Sequence, residues 1–180
     1  MTVRTIAVFC ASGTGTPELR AEVALFAELL AEEDVGLVYG GGSRGLMGVM
    51  LNAFTRRSRR VMEVCVPGVI AAEAVALPSV SVVERATVAE RVQTMIDLAD
   101  AFVVGPGGLG TLEEFAIVAS GAQLGVHHKP VVLFDALGYW RPLREQLNTA
   151  EGIFGYSDLL SSFTVATDAR DAVRAALREG

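Results

Sequence analysis

The sequence predicts an α/β fold, a doubly wound three-layer sandwich built on a mostly parallel sheet, and three observations carry that expectation. Short apolar runs alternate with longer segments of helical period, so strand-helix-strand units with right-handed crossovers follow. Glycines cluster where the strand-like runs end. Finally, 51% of the 180 residues are apolar, as strands covered on both faces by helices require. A chain of this length supports one core, and a single nucleotide-binding domain over residues 1–180 is expected.

Residues 3–9 read as the first strand and 11–17 as a turn. Pro17 and Glu18 then suit a helix start, and Val23, Phe26, Ala27 and Leu30 continue one apolar face to about residue 34. Residues 36–39 are a short strand running into Gly40-Gly41-Gly42, followed by a helix from Gly45 that carries Leu46, Met50, Ala53 and Phe54. Further strands are expected at 61–66, 80–83, 100–105 and 130–134, interspersed with helices at 88–98 and 111–123. Helices near 143–149 and 169–178 bracket a weak strand at 163–166. The stretch 67–81 has no clear period and reads as a loop or short helix at the carboxyl edge of the sheet, where ligands of this architecture bind.

Composition excludes several function classes. No segment approaches 18 uninterrupted apolar residues, so no membrane span is expected. The apolar run at 6–11 is too short for a signal peptide, which leaves the cytoplasm as the default location. A formal charge of −6 and a pI near 5.0 argue against binding a long nucleic acid. Arg56, Arg57, Arg59 and Arg60 cluster where a helix should end, and read as partners of that helix terminus and of solvent. Cys10 and Cys65 lie in strand-like runs and read as buried free thiols. With two cysteines and an adjacent His127-His128 pair, no metal site is expected, and the histidines read as turn or dimer-surface residues.

Two segments satisfy G-x-G-x-x-G after a strand and before a helix: Gly40, Gly42 and Gly45, then Gly105, Gly107 and Gly110. Each missing Cβ lets an anion approach the backbone, and the helix that follows offers unpaired N–H groups and the positive end of its dipole. Glycines at such turns also serve tight packing alone, but two matches in one sheet favour convergence on the phosphate of a small nucleotide. A dinucleotide site would begin at the first strand, where Glu18 stands in place of the third glycine although Asp34 is suitably spaced for a ribose. No glycine turn is followed by Lys-Ser or Lys-Thr, so a Walker A loop is absent.

The segment Pro106-Gly107-Gly108-Leu109-Gly110-Thr111-Leu112-Glu113-Glu114 follows the pattern P-G-G-x-G-T-x-x-E. Together with Tyr39-Gly40-Gly41-Gly42-Ser43-Arg44-Gly45-Leu46-Met47-Gly48 it resembles the LOG family of cytokinin riboside 5′-monophosphate phosphoribohydrolases, long mistaken for lysine decarboxylases. The similarity runs from Phe9-Cys10 to the C-terminal helix and takes in residues 124–130 and Gly138-Tyr139-Trp140. That resemblance implies a Rossmann-like fold, a homodimer and no cofactor. It implies hydrolysis of the N-glycosidic bond of a nucleoside 5′-monophosphate, with AMP or N6-substituted AMP favoured, to free base and ribose 5-phosphate. It also implies Glu114 and Arg91 as catalytic residues, and a phosphate cradle of Gly107, Gly108, Leu109, Gly110 and Thr111 with Gly41, Gly42 and Ser43 bordering the same pocket. Ser12, Arg44 and Met95 are further pocket candidates.

The chemistry agrees with the resemblance. A ribosyl transition state gathers positive charge at the anomeric carbon, which a fixed carboxylate stabilises directly or serves by orienting water. Glu114 follows Thr111 by three residues on the same helix face, whereas Glu113 points elsewhere. Arg91 lies near a helix start, where the dipole disfavours a cation; binding, leaving-base departure and a structural salt bridge are the readings open to it.

The chain departs from the family pattern at Val92, where lysine is usual, at Ala11-Ser12-Gly13, where Gly-Ser-Ser is common, at Val64, usually glycine, and at Arg44. Loss of the lysine removes a charge beside the expected phosphate pocket, so the competing reading is a non-hydrolytic nucleotide-binding or molybdenum-cofactor carrier protein. Lys129 is the sole lysine and precedes Pro130 at a strand start, so Schiff-base chemistry with pyridoxal phosphate is not expected.

Overall fold

Strand β1 (Thr5–Phe9) occupies the middle of a seven-stranded sheet, and every residue of it is buried. The computed structural model describes residues 4–69, 79–156 and 159–178; residue 3 of the expected first strand and residues 70–78 of the expected loop lie outside them. From β1 the chain runs through α1 (Pro17–Glu32), β2 (Gly36–Tyr39), α2 (Gly45–Arg56), β3 (Val61–Cys65) and β4 (Val80–Glu84). It continues through α3 (Val88–Leu98), β5 (Ala101–Val104), α4 (Leu109–Gln123), β6 (Val131–Phe134), α5 (Arg141–Phe154), β7 (Thr164–Ala166) and α6 (Ala169–Ala176).

The strand order is β4-β3-β2-β1-β5-β6-β7, and all six pairings are parallel. The first strands add outward on one side of β1 and the last three on the other, so the order reverses between β1 and β5. Crossovers leave opposite faces of the sheet there, and a crevice opens beyond the carboxyl ends of the two strands. The alternation along β1 sends Ile6 and Val8 into one layer with α1, α2 and α6, and Ala7 and Phe9 into the other with α3 and α4. Phe26 of α1 meets Phe134 of β6 with ring centroids 5.1 Å apart, and Phe115 of α4 meets Phe163 edge-on at 5.2 Å.

Local signals explain most element ends. Thr16 caps α1, accepting the Leu19 N–H at 3.3 Å, with Pro17 in the first turn. Thr87 and Glu90 close a capping box on α3. Helix α4 starts two residues earlier than the sequence predicts because Gly108 acts as its cap and takes the Leu112 N–H at 2.9 Å. Helix α5 runs to Phe154, past the expected end, until Gly155 turns it off in the left-handed conformation.

The arginine cluster after α2 serves the neighbouring helix more than its own. Arg56 and Arg57 reach Glu28 of α1, and Arg57 also pairs with Glu32 at 3.0 Å. Arg59 donates to the Ala31 and Glu32 carbonyls, each at 3.0 Å, and to Asp34 at 2.8 Å. It caps the carboxyl end of α1, which carries no basic residue in its last turn. Among the described residues no helix is long and apolar enough to cross a membrane. Arg59→Ala should lower stability by about 1–2 kcal/mol, read as a fall of several degrees in Tm, because it strips two carbonyls of a charged donor.

Candidate functional site

The crevice between β1 and β5 holds a cleft of about 630 Å³, a volume suited to a nucleotide-sized ligand. Three loops build it. Residues 11–13 follow β1, Gly40 follows β2, and the start of α4 follows β5.

Among the described residues the amino end of α4 is open. Leu112 is the first residue whose N–H closes a helical hydrogen bond, to Gly108, so the N–H groups of Leu109, Gly110 and Thr111 have no partner within the helix. They lie at the positive dipole end and line the cleft, an arrangement that can seat an anion. Gly107 has to lack a side chain, since a Cβ there would fall 2.1 Å from Thr111 Oγ1. The Tyr139 hydroxyl donates to the Gly107 carbonyl at 2.7 Å and fixes the turn from behind.

The amino end of α2 is closed, contrary to the expectation that both glycine turns face one ligand. Leu46 donates to the Ala11 and Gly13 carbonyls, both at 3.1 Å, and Met47 to Ala11 at 3.2 Å. The loop carbonyls stand so near that a Cβ on Gly45, which has a φ of 58°, would fall 2.1 Å from the Ser12 carbonyl oxygen. The first glycine motif therefore grips the 11–13 loop, and that loop forms the cleft wall.

Behind the two turns lies a buried ion pair. Arg91 of α3 and Glu114 of α4 are each 7% exposed, and Arg91 Nη1 donates to Glu114 Oε1 at 3.2 Å. Arg91 Nε donates to the Val64 carbonyl at 3.0 Å and Nη2 to the Gly40 carbonyl at 3.1 Å, which holds the guanidinium from three directions. Among the described residues three of its five N–H groups are engaged and two remain. Thr111 and Glu114 turn inward on the same face of α4 while Glu113 is exposed. Burial pushes the Glu114 carboxyl up to about 7, with Arg91 opposing the rise. Burial, with the Glu114 charge behind it, pushes the Cys10 thiol in the cleft up to about 12, so this thiol stays protonated at neutral pH.

Seven of the residues singled out from sequence line the cleft together: Arg91, Glu114, Ser12, Gly108, Leu109, Gly110 and Thr111. Gly107 supports the turn from outside the lining. Gly41, Gly42, Ser43 and Arg44 stand apart from the cleft wall, because the turn they form folds against Glu63 and the start of α2. Met95 is fully buried in the core on the α3 face, and Val92 is 1% exposed, so neither borders the cleft. The cost inferred from the absent lysine at position 92 therefore does not apply at the cleft wall. His127 is half-buried: its Nε2 lies 2.9 Å from the Val118 carbonyl oxygen and its ring packs on Phe102. Lys129 donates to the Ile96 carbonyl at 2.7 Å beside Phe102, and does not line the cleft.

Sequence reasoning missed Cys10, Gly40, Met47 and Val69 as lining residues. Gly40 carried a signal, as the opening glycine of the first motif. Met47 stood only as a member of the first motif, and Cys10 read as a buried strand residue. No local signal marks Val69.

A family model described as possible lysine decarboxylase matches residues 47–176. A probable cytokinin riboside 5′-monophosphate phosphoribohydrolase of Oryza sativa subsp. japonica is 41% identical over 145 residues, 78% of this chain and 62% of the relative. A cytokinin riboside 5′-monophosphate phosphoribohydrolase of Arabidopsis thaliana is 39% identical over 142 residues, covering 78% and 66%. The chain thus spans about three fifths of the length of the rice relative. Among solved structures, the molybdenum cofactor binding protein from the phototrophic bacterium Rippkaea orientalis superposes with a TM-score of 0.69 at 18% identity, over 97% of this chain and 95% of its own. The Moco carrier protein from Chlamydomonas reinhardtii gives 0.66 at 21% identity, over 96% and 94%. At those identities the likeness is one of fold.

Gly45→Ala tests the grip of α2 on the cleft wall. The new Cβ meets backbone and the residue is held at positive φ, so stability should fall by about 2 kcal/mol or more in thermal unfolding. An unchanged Tm would show that the 11–13 loop yields without cost.

Proposed function

This chain belongs to the LOG-type family whose model is described as possible lysine decarboxylase, and on that premise we propose that it hydrolyses the N-glycosidic bond of a nucleoside 5′-monophosphate. AMP or N6-substituted AMP is the favoured substrate, and free base and ribose 5-phosphate are the products. The observation that carries the reading is the buried Arg91–Glu114 pair beside the open amino end of α4.

The 5′-phosphate takes the N–H groups of Leu109, Gly110 and Thr111, where the helix dipole favours an anion. That seat directs the ribose toward Glu114, one turn further along the same helix. As the C1′–N bond breaks, its electron pair leaves with the base, and positive charge grows at C1′ and the ring oxygen. The Glu114 carboxylate faces that charge and orients a water, whose oxygen bonds to C1′ while its proton passes to the carboxylate. The departing nitrogen takes a proton from solvent. Arg91 holds Oε1, which leaves the other carboxylate oxygen for the water, and its two remaining N–H groups suit the base or the phosphate. Met47, Val69 and Leu109 supply apolar surface for a base or its N6 substituent. The second reading, binding without turnover, leaves the buried carboxylate only its pairing with Arg91.

We also assign the chain to a homodimer. Leu109, Ile117 and Leu124 of α4 and its C-cap, with Val126 beyond, are exposed apolar residues on one side of the molecule's only phosphate-facing helix among the described residues. Light scattering at micromolar concentration should give twice the chain mass, and a monomer would defeat the assignment.

Glu114→Gln should bind AMP with little change and release base at least about 100-fold more slowly, measured by chromatography over a panel of nucleoside monophosphates. A wild-type rate in this variant would remove Glu114 from the mechanism, and wild-type binding without release across the panel would favour the carrier reading. Because the ionised carboxylate is the active form and its pKa is raised to about 7, kcat should climb with pH up to about 7 and then level. A profile falling across the same range would give Glu114 the acid role instead.

A further inference from the structure

We infer that Glu63 is a positioning residue of the cleft, holding the Gly40-Gly41 turn and through it the Arg91 guanidinium. Glu63 stands in β3 opposite Tyr39 in the strand register and is 1% exposed. Its Oε2 accepts from the Tyr39 hydroxyl at 3.1 Å, whereas Oε1 is buried with no hydrogen-bond partner among the described residues. None of the ion pairs among the described residues includes it. A buried carboxylate oxygen without a donor is costly, and such a group calls for a reason.

What Oε1 touches is the glycine turn. A Cβ on Gly41 would fall 2.8 Å from Oε1 and 3.3 Å from Cγ, so the Gly41 backbone rests directly on the Glu63 side chain. One residue earlier, a Cβ on Gly40 would fall 1.7 Å from Arg91 Nη2, the same nitrogen that donates to the Gly40 carbonyl. Two consecutive glycines thus run between a buried carboxylate and a buried guanidinium. The other backbone acceptor of Arg91 is the carbonyl of Val64, the residue after Glu63. One main-chain anchor of the guanidinium thus adjoins the turn that rests on Glu63, and the other adjoins Glu63 itself. Without its side chain the turn can sink into the vacated space, the Gly40 carbonyl leaves Nη2, and Arg91 turns away from Glu114.

The kinetic part of the test rests on the proposed hydrolysis; the structural part does not. Crystals of Glu63→Ala should show the Arg91 Nη2 contact with the Gly40 carbonyl lost, and crystals of Glu63→Gln, which keeps the shape and an acceptor for Tyr39, should show it kept. In base-release assays Glu63→Ala should lower kcat by about 10- to 100-fold with a smaller change in KM, because the N–H seat on α4 is untouched and only the Arg91 share of binding is lost. Glu63→Gln should restore kcat to within about threefold of wild type. If Glu63→Ala yields no folded protein, Gly41→Ala serves, since its Cβ drives the turn off Glu63 and should give the same loss of the Arg91 contact. An intact Arg91 contact in Glu63→Ala or Gly41→Ala, or a wild-type kcat in either, overturns the inference. A wild-type chain that releases no base defeats the proposed function, and the inference then stands or falls on the crystallographic contact.

Discussion

The site depends on one buried guanidinium. Arg91 reaches partners 51, 27 and 23 residues away in the chain, at Gly40, Val64 and Glu114. They come from the ends of β2 and β3 and from the first turns of α4, elements on both sides of the point where strand order reverses. A planar fork with donors in several fixed directions satisfies all three at once and holds the side chain in one orientation. The charge is acceptable in the interior because each acceptor is a carbonyl or a carboxylate, and that requirement in turn confines Gly40 to glycine.

The two glycine turns look alike in sequence and do opposite things with their helix ends. At α2 the free N–H groups are taken by Ala11 and Gly13 carbonyls, so the turn clamps a loop. At α4 no such carbonyl is found among the described residues, and Gly108, Leu109 and Gly110 stay at the cleft. The clamped turn makes the wall and the open one makes the seat. A second open end would have weakened the wall, because the 11–13 loop would then lack most of its backbone partners.

Electrostatics in the cleft follow from burial more than from pairing. Glu114 sits beside a guanidinium and still has its carboxyl pushed up to about 7. Since the folded value exceeds the ordinary 4.5, the folded state holds this proton more tightly than the unfolded one. The associated stability is present below about pH 4.5 and is lost as pH rises through about 7, so ionising Glu114 works against the fold. A carboxylate kept in that condition is poised to change protonation state near neutrality, as acid-base groups require. The neighbouring Cys10 thiol, raised to about 12, contributes shape rather than nucleophilicity.

Periodicity and punctuation in the chain foretold the strands, the helices and the two glycine turns, since these depend on residues a few positions apart. Element ends moved by only a few residues, at α4 and α5, where Gly108 and Gly155 provide caps that compete with the apolar pattern. The pairing of Thr111 with Glu114 on one helix face was legible for the same reason. Long-range contacts were not. Nothing near Gly45 announces that loop carbonyls from residues 11 and 13 will fill the end of α2, nothing near Val92 and Met95 tells which face of α3 meets the sheet, and the lone acid of β3 reads as an interruption in an apolar run. The layered fold and the positions of the two turns were legible in the chain alone, because local backbone preference and side-chain period suffice for both. Which turn stays open and what stands behind it follow from contacts between distant segments, because hydrogen-bond donors at a helix end are free or occupied according to which carbonyls those segments bring into reach.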